Sequence, residues 1–274
     1  MKQNPFKKYL AFVKGGILET FSYKFAIFGW LIGDIVQVLI ICYLWIAIYK
    51  FSSTSIINGY TMSEMLTYLV TVRIVGNLVM SSDSFWSIGE GIREGTIANS
   101  LIRPLSYRGQ LLSSSIGTFI GNLIVFFIPL YIIALIILNA TLGVPFAIWY
   151  NIIFFLIACI LGLLIYDAFN VIIGQVSFFT GALFGVGLAK GALFSFLAGT
   201  LIPFSFFGEK ASKILELLPF SSMSSLPNLI IMGKYTIKET LIGLLIQLGW
   251  AIVINLLANI TYKQSIKHVV SVGG

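Results

Sequence analysis

Residues 112–138 read LSSSIGTFIGNLIVFFIPLYIIALIIL, a run without a single charged side chain. A helix needs about 20 consecutive apolar residues to cross the hydrocarbon layer of a bilayer, and this run is longer than that. The rest of the chain has the same character, because 58% of its residues are hydrophobic and only 10% are charged. Soluble domains are roughly 45–50% apolar and about 25% charged. The sequence therefore predicts an all-α membrane protein.

Five further apolar runs flank this one and predict, together with it, six transmembrane helices. In a chain of 274 residues they leave no room for a soluble catalytic domain, so we expect one membrane domain over residues 25–262. A surface turn is expected within Asp167–Phe179, where Asp, Asn, Gly, Gln and Ser cluster within a few residues. The predicted spans are Phe25–Tyr49, Ser63–Met80, Leu112–Leu138, Phe146–Tyr166, Thr180–Ile202 and Ile237–Ile260.

The lysines and arginines beside the six runs predict the orientation of the chain. Cytoplasmic loops carry an excess of these residues. With the N-terminus inside, the inner side collects ten of them and the outer side five, which favours both termini in the cytoplasm. The inner set is Lys2, Lys7, Lys8, Lys14, Lys24, Arg93, Arg103, Arg108, Lys263 and Lys267, and the outer set is Lys50, Lys210, Lys213, Lys234 and Lys238.

The segment before the first span predicts an amphipathic helix that lies in the inner membrane interface. Between Pro5 and Phe21, apolar residues recur at helical spacing, whereas three lysines and a glutamate fall elsewhere. A basic membrane anchor and a mechanical elbow that carries force into the first span both fit this pattern. We assign residues 1–24 to this helix and residues 263–274 to a cytoplasmic tail.

The longest polar interruption covers residues 81–110 and reads SSDSFWSIGEGIREGTIANSLIRPLSYRGQ. Ser87 and Glu90 have the spacing of a capping box, although three nearby glycines weaken a helix there. From Thr96 we expect a short helix that ends before Pro104, because the residue preceding proline avoids the helical region.

This short helix predicts a docking surface within a cytoplasmic loop over residues 81–111. Ile97, Leu101 and Ile102 are expected on one side of it, parallel to the membrane and between two charged turns. A soluble partner protein can bind such a surface. The candidate docking residues are Glu90, Arg93, Glu94, Ile97, Leu101, Ile102, Arg103 and Pro104.

The segment between the last two spans, residues 203–236, combines breaks with apolar residues. Proline interrupts it at positions 203, 219 and 227, while leucine and isoleucine make it hydrophobic. Glu209 and Lys213 stand four residues apart, as a helical ion pair requires. Short helices that dip into the outer leaflet fit this composition better than a solvated loop does.

Three charged residues fall inside predicted spans, where a charge costs about 2.5–3.5 kcal/mol on insertion scales. They are Asp34, Arg73 and Lys190. Counted at about 1.5 Å per residue from Lys24, Ser82 and Thr180 respectively, all three lie roughly 14–15 Å from the inner surface. We predict that Asp34 pairs with Arg73, in a structural role or in a proton or substrate relay. Lys190 is expected to face a polar cavity or to snorkel towards the surface, and Glu64 to lie at the outer edge of the second span.

Two stretches resemble the membrane subunits of ABC-2 type transporters. The first runs from Ile88 through Arg108 and leads into LIRPLSYRGQL, and the second is LAGTLIPFSFFGEKASKILELLPF at residues 197–220. The resemblance covers almost the whole chain in span order and loop size. It implies six spans, both termini inside, a coupling helix after the second span that docks on an ATPase, and a re-entrant outer segment before the sixth.

The resemblance also implies a function, that of a permease subunit in a prokaryotic cell membrane. Two separately encoded ATPase subunits would hold ATP and Mg, and a second permease subunit, identical or paralogous, would complete a dimer in membrane lipid. No Walker A motif occurs in the 274 residues. We expect no metal, cofactor or nucleic acid on this chain itself. The outer gate that the resemblance implies would be formed by Pro203, Phe206, Phe207, Leu215, Leu218 and Pro219.

The cargo and two competing functions complete the sequence-based expectations. An aromatic content of 15% favours export of an amphiphilic or hydrophobic substrate such as a drug, a peptide or a lipid-like molecule. An ion-coupled secondary transporter should show related halves, and residues 1–140 show no clear repeat in 141–274. An intramembrane enzyme should gather nucleophiles and acid–base groups, whereas this chain has one His and scattered carboxylates. Neither alternative accounts for the docking segment.

Overall fold

The computed structural model describes residues 5–22, 24–145, 147–178 and 182–265. Within these residues the chain is helical apart from one short hairpin, β1 (Ile56–Ile57) and β2 (Tyr60–Thr61). The helices are α1 (Pro5–Ser22), α2 (Lys24–Phe51), α3 (Met62–Val79), α4 (Ser84–Arg93), α5 (Ile97–Leu101), α6 (Tyr107–Asn122), α7 (Ile128–Leu142), α8 (Trp149–Gly174), α9 (Leu183–Leu197), α10 (Glu209–Leu217), α11 (Ser225–Ile231) and α12 (Ile237–Ser265). A short π-helix (Leu123–Phe127) joins α6 to α7. Short 3₁₀ helices cover Gln175–Phe178, Phe204–Phe207 and Ser221–Met223.

Several helices are long and apolar enough to cross a membrane, so the expectation of an all-helical membrane protein is confirmed. In the described part of the chain there are four of them, and a fifth if α3 and α4, which are bent by 44° at their junction, count as one span. The remaining predicted span corresponds to α9, which has only 15 residues. The four long segments are Leu31–Phe51, Tyr107–Leu142, Trp149–Ser177 and Ile237–Ser265.

The predicted break within Asp167–Phe179 begins later than the polar residues indicated, because the α-helical part of α8 ends only at Gly174. α8 continues through Asp167 and Asn170 to Gly174, and a 3₁₀ turn extends it to Phe178. Asp167 and Asn170 are fully buried and hydrogen-bonded to neighbouring helices, so their polarity does not mark a surface. α8 is therefore the central helix of the bundle, with half of its most apolar window buried.

α1 lies along the whole length of α6, with which it runs parallel. A Cβ atom on Gly117 would lie 2.1 Å from the Val13 carbonyl oxygen, and one on Gly121 would lie 2.7 Å from Thr20 Oγ1. In the other direction, a Cβ on Gly16 would lie 2.3 Å from the Ser114 carbonyl oxygen. These glycines let the two backbones approach closely, as small residues do where membrane helices cross.

α1 covers Pro5–Ser22, within the residues 1–24 that were assigned to an N-terminal interfacial helix, and small side chains form the face that packs on α6. Gly16 and Thr20 are buried against α6, whereas Leu10 is 62% exposed and Phe21 is exposed as well. Leu10 and Phe21 therefore point away from α6, whereas Val13 and Ile17 are partly buried. The side chain of Phe6, which belongs to the predicted stripe, lies outside the described residues.

The chain between α9 and α12 folds back into the bundle. Residues 221–231, which include α11, are buried throughout. The Ser224 hydroxyl donates to the Val72 carbonyl oxygen (3.2 Å), and the Tyr68 hydroxyl donates to the Gly199 carbonyl oxygen (2.7 Å). The buried Gln247 amide of α12 donates to the Ala158 and Ser222 carbonyl oxygens. Hydrogen bonds thus tie this segment to α3, α8 and α12.

Candidate functional site

The predicted docking segment consists of two helices and an exposed turn. α4 begins at Ser84, and Ser87 lies inside it, with its N–H donating to the Asp83 carbonyl oxygen. The expected capping box of Ser87 and Glu90 is therefore wrong. Gly95 separates α4 from α5 at φ 72°, a left-handed conformation that glycine adopts without strain. The short helix expected from Thr96 is confirmed as α5.

The expected common face of Ile97 and Ile102 is also wrong. Ile97 is buried with Ile88, Tyr107 and Leu111, whereas Ile102 is 82% exposed. Positions five apart on a helix differ by about 140°, so these two side chains cannot share a face. The side chain of Leu101 lies outside the described residues. The exposed docking candidates are Glu90, Arg93, Glu94, Ile102, Arg103 and Pro104.

α1 contacts this exposed surface directly. The Arg103 guanidinium lies 5.7 Å from the centre of the Phe12 ring. The Ser106 N–H donates to the Tyr9 hydroxyl at 3.1 Å, and Ser106 Oγ in turn accepts from Gly109 N at the start of α6. A displacement of the turn before α6 would therefore reach α1 as well.

A buried polar cluster lies directly behind the docking segment, and the sequence did not reveal it. Asp167 Oδ1 accepts hydrogen bonds from Ser82 (2.7 Å), Ser84 (2.6 Å) and Ser115 (2.8 Å). We call these four residues the serine–aspartate cluster. It joins the α3–α4 junction and α4 to α6 and α8. The four residues are visible in the sequence as isolated polar positions, but nothing in their spacing indicates that they lie together in the folded protein.

Two neighbours extend the serine–aspartate cluster. The Asn170 amide donates to the Ser82 carbonyl oxygen at 3.1 Å, and its oxygen accepts from Lys190 Nζ at 2.7 Å. Lys190 Nζ also lies 4.3 Å from the centre of the Phe85 ring, a cation–π geometry. Lys190 thus bonds Asn170 of α8 and contacts Phe85 of α4, both of which belong to other helices.

Arg73 and Asp34 form an ion pair between α2 and α3, so the predicted pairing is confirmed. Arg73 Nε donates to Asp34 Oδ1 at 3.1 Å, and Nη2 donates to the same oxygen. The Asn77 amide donates to Asp34 Oδ2. The pair is only partly covered, because the Arg73 side chain is 33% exposed and that of Asp34 is 22% exposed.

A groove opens beside this pair. It encloses about 310 Å³ of unoccupied space, including its open mouth. Three elements form it, namely α2, α3 and the turn after α9. We call it the lateral groove, and its lining includes Gln37, Val38, Ile41, Leu69, Arg73 and Thr200.

The outer gate candidates are packed against aromatic side chains. The Phe206 ring lies 5.0 Å from that of Trp45 and 6.4 Å from that of Tyr60, while the Phe207 ring lies 5.5 Å from that of Phe196. Pro203 and Pro219 are buried, and Leu215 and Leu218 are half-buried.

Ion pairs fix the same region of the molecule. Lys234 Nζ bonds Glu64 Oε1 at 2.5 Å, and Glu64 forms a capping box with Thr61 at the start of α3. The expected pair of Glu209 and Lys213 is confirmed at 2.7 Å, on the exposed surface of α10. Burial, followed by the carboxylates of Glu64 and Glu216, raises the pKa of the Tyr60 phenol to about 12. Tyr60 is therefore neutral at physiological pH.

Among residues 5–22, 24–145, 147–178 and 182–265, no three His, Cys, Asp or Glu side chains lie together as a metal site. Both cysteines, Cys42 and Cys159, are free thiols. His268 lies outside the described residues. The contacts described above join the docking segment at one end of the bundle to α1 and to the buried serine–aspartate cluster.

A comparison with models of protein families returned a match. A family model described as ABC-2 family transporter protein matches residues 26–273. Comparisons with curated proteins and with solved structures returned no match.

Proposed function

Because the chain belongs to the ABC-2 transporter family and is thereby a permease of an ABC transporter, we propose that it exports an amphiphilic or hydrophobic substrate. Separately encoded ATPase subunits supply the energy, and a second permease subunit completes the path. The chain itself binds neither ATP nor Mg. The family assignment favours this function over an ion-coupled secondary transporter and over an intramembrane enzyme.

The observation that carries the proposal is the exposed turn after α5. Ile102 is an apolar side chain that is 82% exposed at a polar end of the bundle. Arg103, the next residue, is exposed, and so are Arg93 and Glu94 at the end of α4. An apolar anchor with a charged rim is the composition of a protein-binding site. This surface is the proposed contact with the ATPase subunit.

The proposal requires six spans with both termini in the cytoplasm of a prokaryotic cell. The spans would be α2, α3, α6 with α7, α8, α9 and α12. α9 has 15 residues and covers only about 22 Å of the roughly 30 Å hydrocarbon layer. Its apolar flanking residues would cover the remainder. In this arrangement the hairpin and residues 203–236 lie outside, and the docking segment lies inside.

The second permease subunit and membrane lipid would cover the exposed apolar helices. Only 6% of the apolar window of α2 is buried in the single chain. Ile40, Tyr43 and Leu44 are among the most exposed residues of this helix. An apolar face of this length needs either lipid or another apolar helix beside it.

Motion of the ATPase subunits would reach the spans along the contacts already described. ATP binding would draw the two ATPase subunits together and displace the turn around Ile102. The Arg103 and Ser106 contacts carry this displacement to α1, and Tyr107 begins α6 directly afterwards. The serine–aspartate cluster connects α4 and α6 to the central helix α8. The spans would then open or close a path past the outer gate.

The test is a single substitution in the exposed turn, Ile102→Asp, in the complex that a tagged chain forms in its own cell. We expect the ATPase subunit to co-purify with the wild-type chain. With Ile102→Asp its yield should fall at least about tenfold, because removal of a hot-spot side chain costs about 2 kcal/mol or more, which lowers the affinity about thirtyfold. Efflux of a hydrophobic fluorescent dye from the cells should fall in parallel.

The matched control is Ile56→Asp, because Ile56 is another exposed isoleucine but lies in the hairpin at the other end of α3. This variant should retain the ATPase subunit. Equal loss with both substitutions, or no ATPase subunit with the wild-type chain, would overturn the proposal.

A further inference from the structure

The lateral groove brings polar groups together inside the predicted membrane layer. At a rise of about 1.5 Å per residue, Asp34 stands about 15 Å from the start of α2 at Lys24, and Arg73 about 9 Å from the end of α3 at Val79. Gln37 is exposed one helical turn after Asp34, and Thr200 lies across the groove. Exposed polar groups at this depth are costly unless something satisfies them.

Hydrogen-bond accounting gives the groove a preference for acceptors. A guanidinium has five N–H donors. In the described part of the chain, Arg73 uses Nε and one donor of Nη2, both towards Asp34 Oδ1, which leaves three donors over. The carboxylate has less to spare, because Oδ1 accepts from Nε and Nη2 and Oδ2 accepts from Asn77, which leaves about one of its four lone-pair sites. A ligand group in this groove therefore meets free donors and a carboxylate whose two oxygens are both bonded.

The polar groups of the groove adjoin apolar surface on two sides. Val38, Ile41 and Leu69 line the groove itself. Beyond its mouth, Ile40 and Leu44 continue along α2 and are 64% and 58% exposed. A hydrocarbon tail that left the groove would lie along this helix without crossing a polar region.

We propose that the lateral groove binds the headgroup of an amphiphile that carries an anionic carboxylate or phosphate, with its tail along α2. The free N–H donors of Arg73 bond the anion, and the Gln37 amide adds a further donor. Asp34 holds the guanidinium in place through two N–H bonds and so acts as a positioning residue. This inference rests on the proposed function in one respect, since it names the substrate class of the exporter and the place where that substrate enters from the lipid.

Photolabelling of the purified full chain tests the site without any ATPase subunit. The probe is palmitic acid with a diazirine in its tail, and the comparison probe is its uncharged methyl ester. We expect the acid to label peptides of α2 and α3 around Val38 and Leu69 several-fold more than the ester does. Unlabelled palmitate should compete with the probe. Inorganic phosphate, which has the anion without the tail, should not.

Two neighbouring substitutions on α2 form a matched pair. Val38→Trp fills the groove and should abolish the preferential labelling, whereas Leu39→Trp lies outside the groove and should leave it unchanged. Arg73→Lys keeps the charge beside Asp34 but loses the planar set of donors. We expect it to fold like the wild-type chain and to lose most of the preference for the acid over the ester.

Equal labelling by acid and ester would overturn the inference, and so would equal labelling of the Val38→Trp and Leu39→Trp chains. Competition by inorganic phosphate alone would reduce the groove to an anion site without selectivity for an amphiphile and would also contradict it. Because no ATPase subunit is present, these results are independent of the co-purification test. The groove can fail while the permease function stands, and the reverse is equally measurable.

Discussion

Asp167 is the residue whose environment most constrains the interior of the protein. It is fully buried, and one of its oxygens accepts three serine hydroxyls from the α3–α4 junction, α4 and α6. In the described part of the chain, its other oxygen and Nη1 of the buried Arg108 have no hydrogen-bond partner. Both groups are costly to bury in this way, so the cluster depends on the bonds that it does make.

Replacement of the Asp167 carboxylate should reveal this dependence. Asp167→Ala leaves three buried hydroxyls without their acceptor, and each unsatisfied polar group costs about 1–3 kcal/mol. We expect the free energy of unfolding to fall by about 3–5 kcal/mol, measured by denaturant titration of the purified protein in detergent. Asp167→Asn retains an acceptor oxygen and should lose clearly less. Equal losses would show that the hydrogen bonds to the hydroxyls are unimportant.

At the scale of elements, the parallel packing of α1 on α6 is the contact that most depends on small side chains. Gly16, Gly117 and Gly121 all lie where a Cβ atom would collide with the opposite helix. Two of these collisions involve backbone carbonyl oxygens, which cannot rotate away as a side chain can. α1 is thereby fixed in register beside the start of α6 and next to the exposed turn around Ile102.

A pair of adjacent glycines on α1 allows a controlled test of this packing. Gly16→Ala places a Cβ 2.3 Å from the Ser114 carbonyl oxygen, and the resulting shift should cost about 1–3 kcal/mol. Gly15→Ala meets nothing within 4 Å and should instead stabilise the helix by about 0.5–1 kcal/mol. Unfolding midpoints of the two purified variants would measure the difference. A Gly16→Ala protein as stable as Gly15→Ala would contradict the close helix contact.

At the scale of the whole molecule, the proposed six-span topology assigns a side of the membrane to each exposed polar segment. The hairpin before α3 and the turn after α9 should lie outside the cell, and α5 should lie inside. The position of the turn after α9 decides the number of spans, because α9 is the short helix. If α9 did not cross, residues 203–236 would share a side with α5.

Single cysteine substitutions can read out these positions with a membrane-impermeant maleimide. Ser55→Cys and Ser205→Cys should be labelled in intact cells, because both positions are exposed in the proposed outer segments. Asn99→Cys in α5 should be labelled only after the membrane is permeabilised. The wild-type chain is the control, because Cys159 is fully buried and Cys42 lies within α2. Labelling of Asn99→Cys but not of Ser205→Cys in intact cells would contradict the topology.

The sequence by itself determined that the protein lies in a lipid bilayer and that it is helical. It also determined much of the order of the helices along the chain. A long charge-free run such as 112–138 needs no partner to specify a membrane helix, because lipid and backbone hydrogen bonding act on every such segment in the same way. The pair of Glu209 and Lys213 is local and follows from helical spacing. The ion pair of Asp34 and Arg73 also followed, because a charge within the membrane requires a partner and few were present.

The tertiary structure alone decided how the polar residues of the interior are used. Asp167 and Asn170 resemble turn residues in the sequence, yet within a continuous helix they form hydrogen bonds with three serines and a lysine from other elements. Ile97 and Ile102 are chemically identical, and only the packing of α5 against α4 and α6 places the first inside and the second outside. Composition reports what a residue prefers, whereas the neighbours that satisfy that preference are distant in the chain and meet only in the folded bundle.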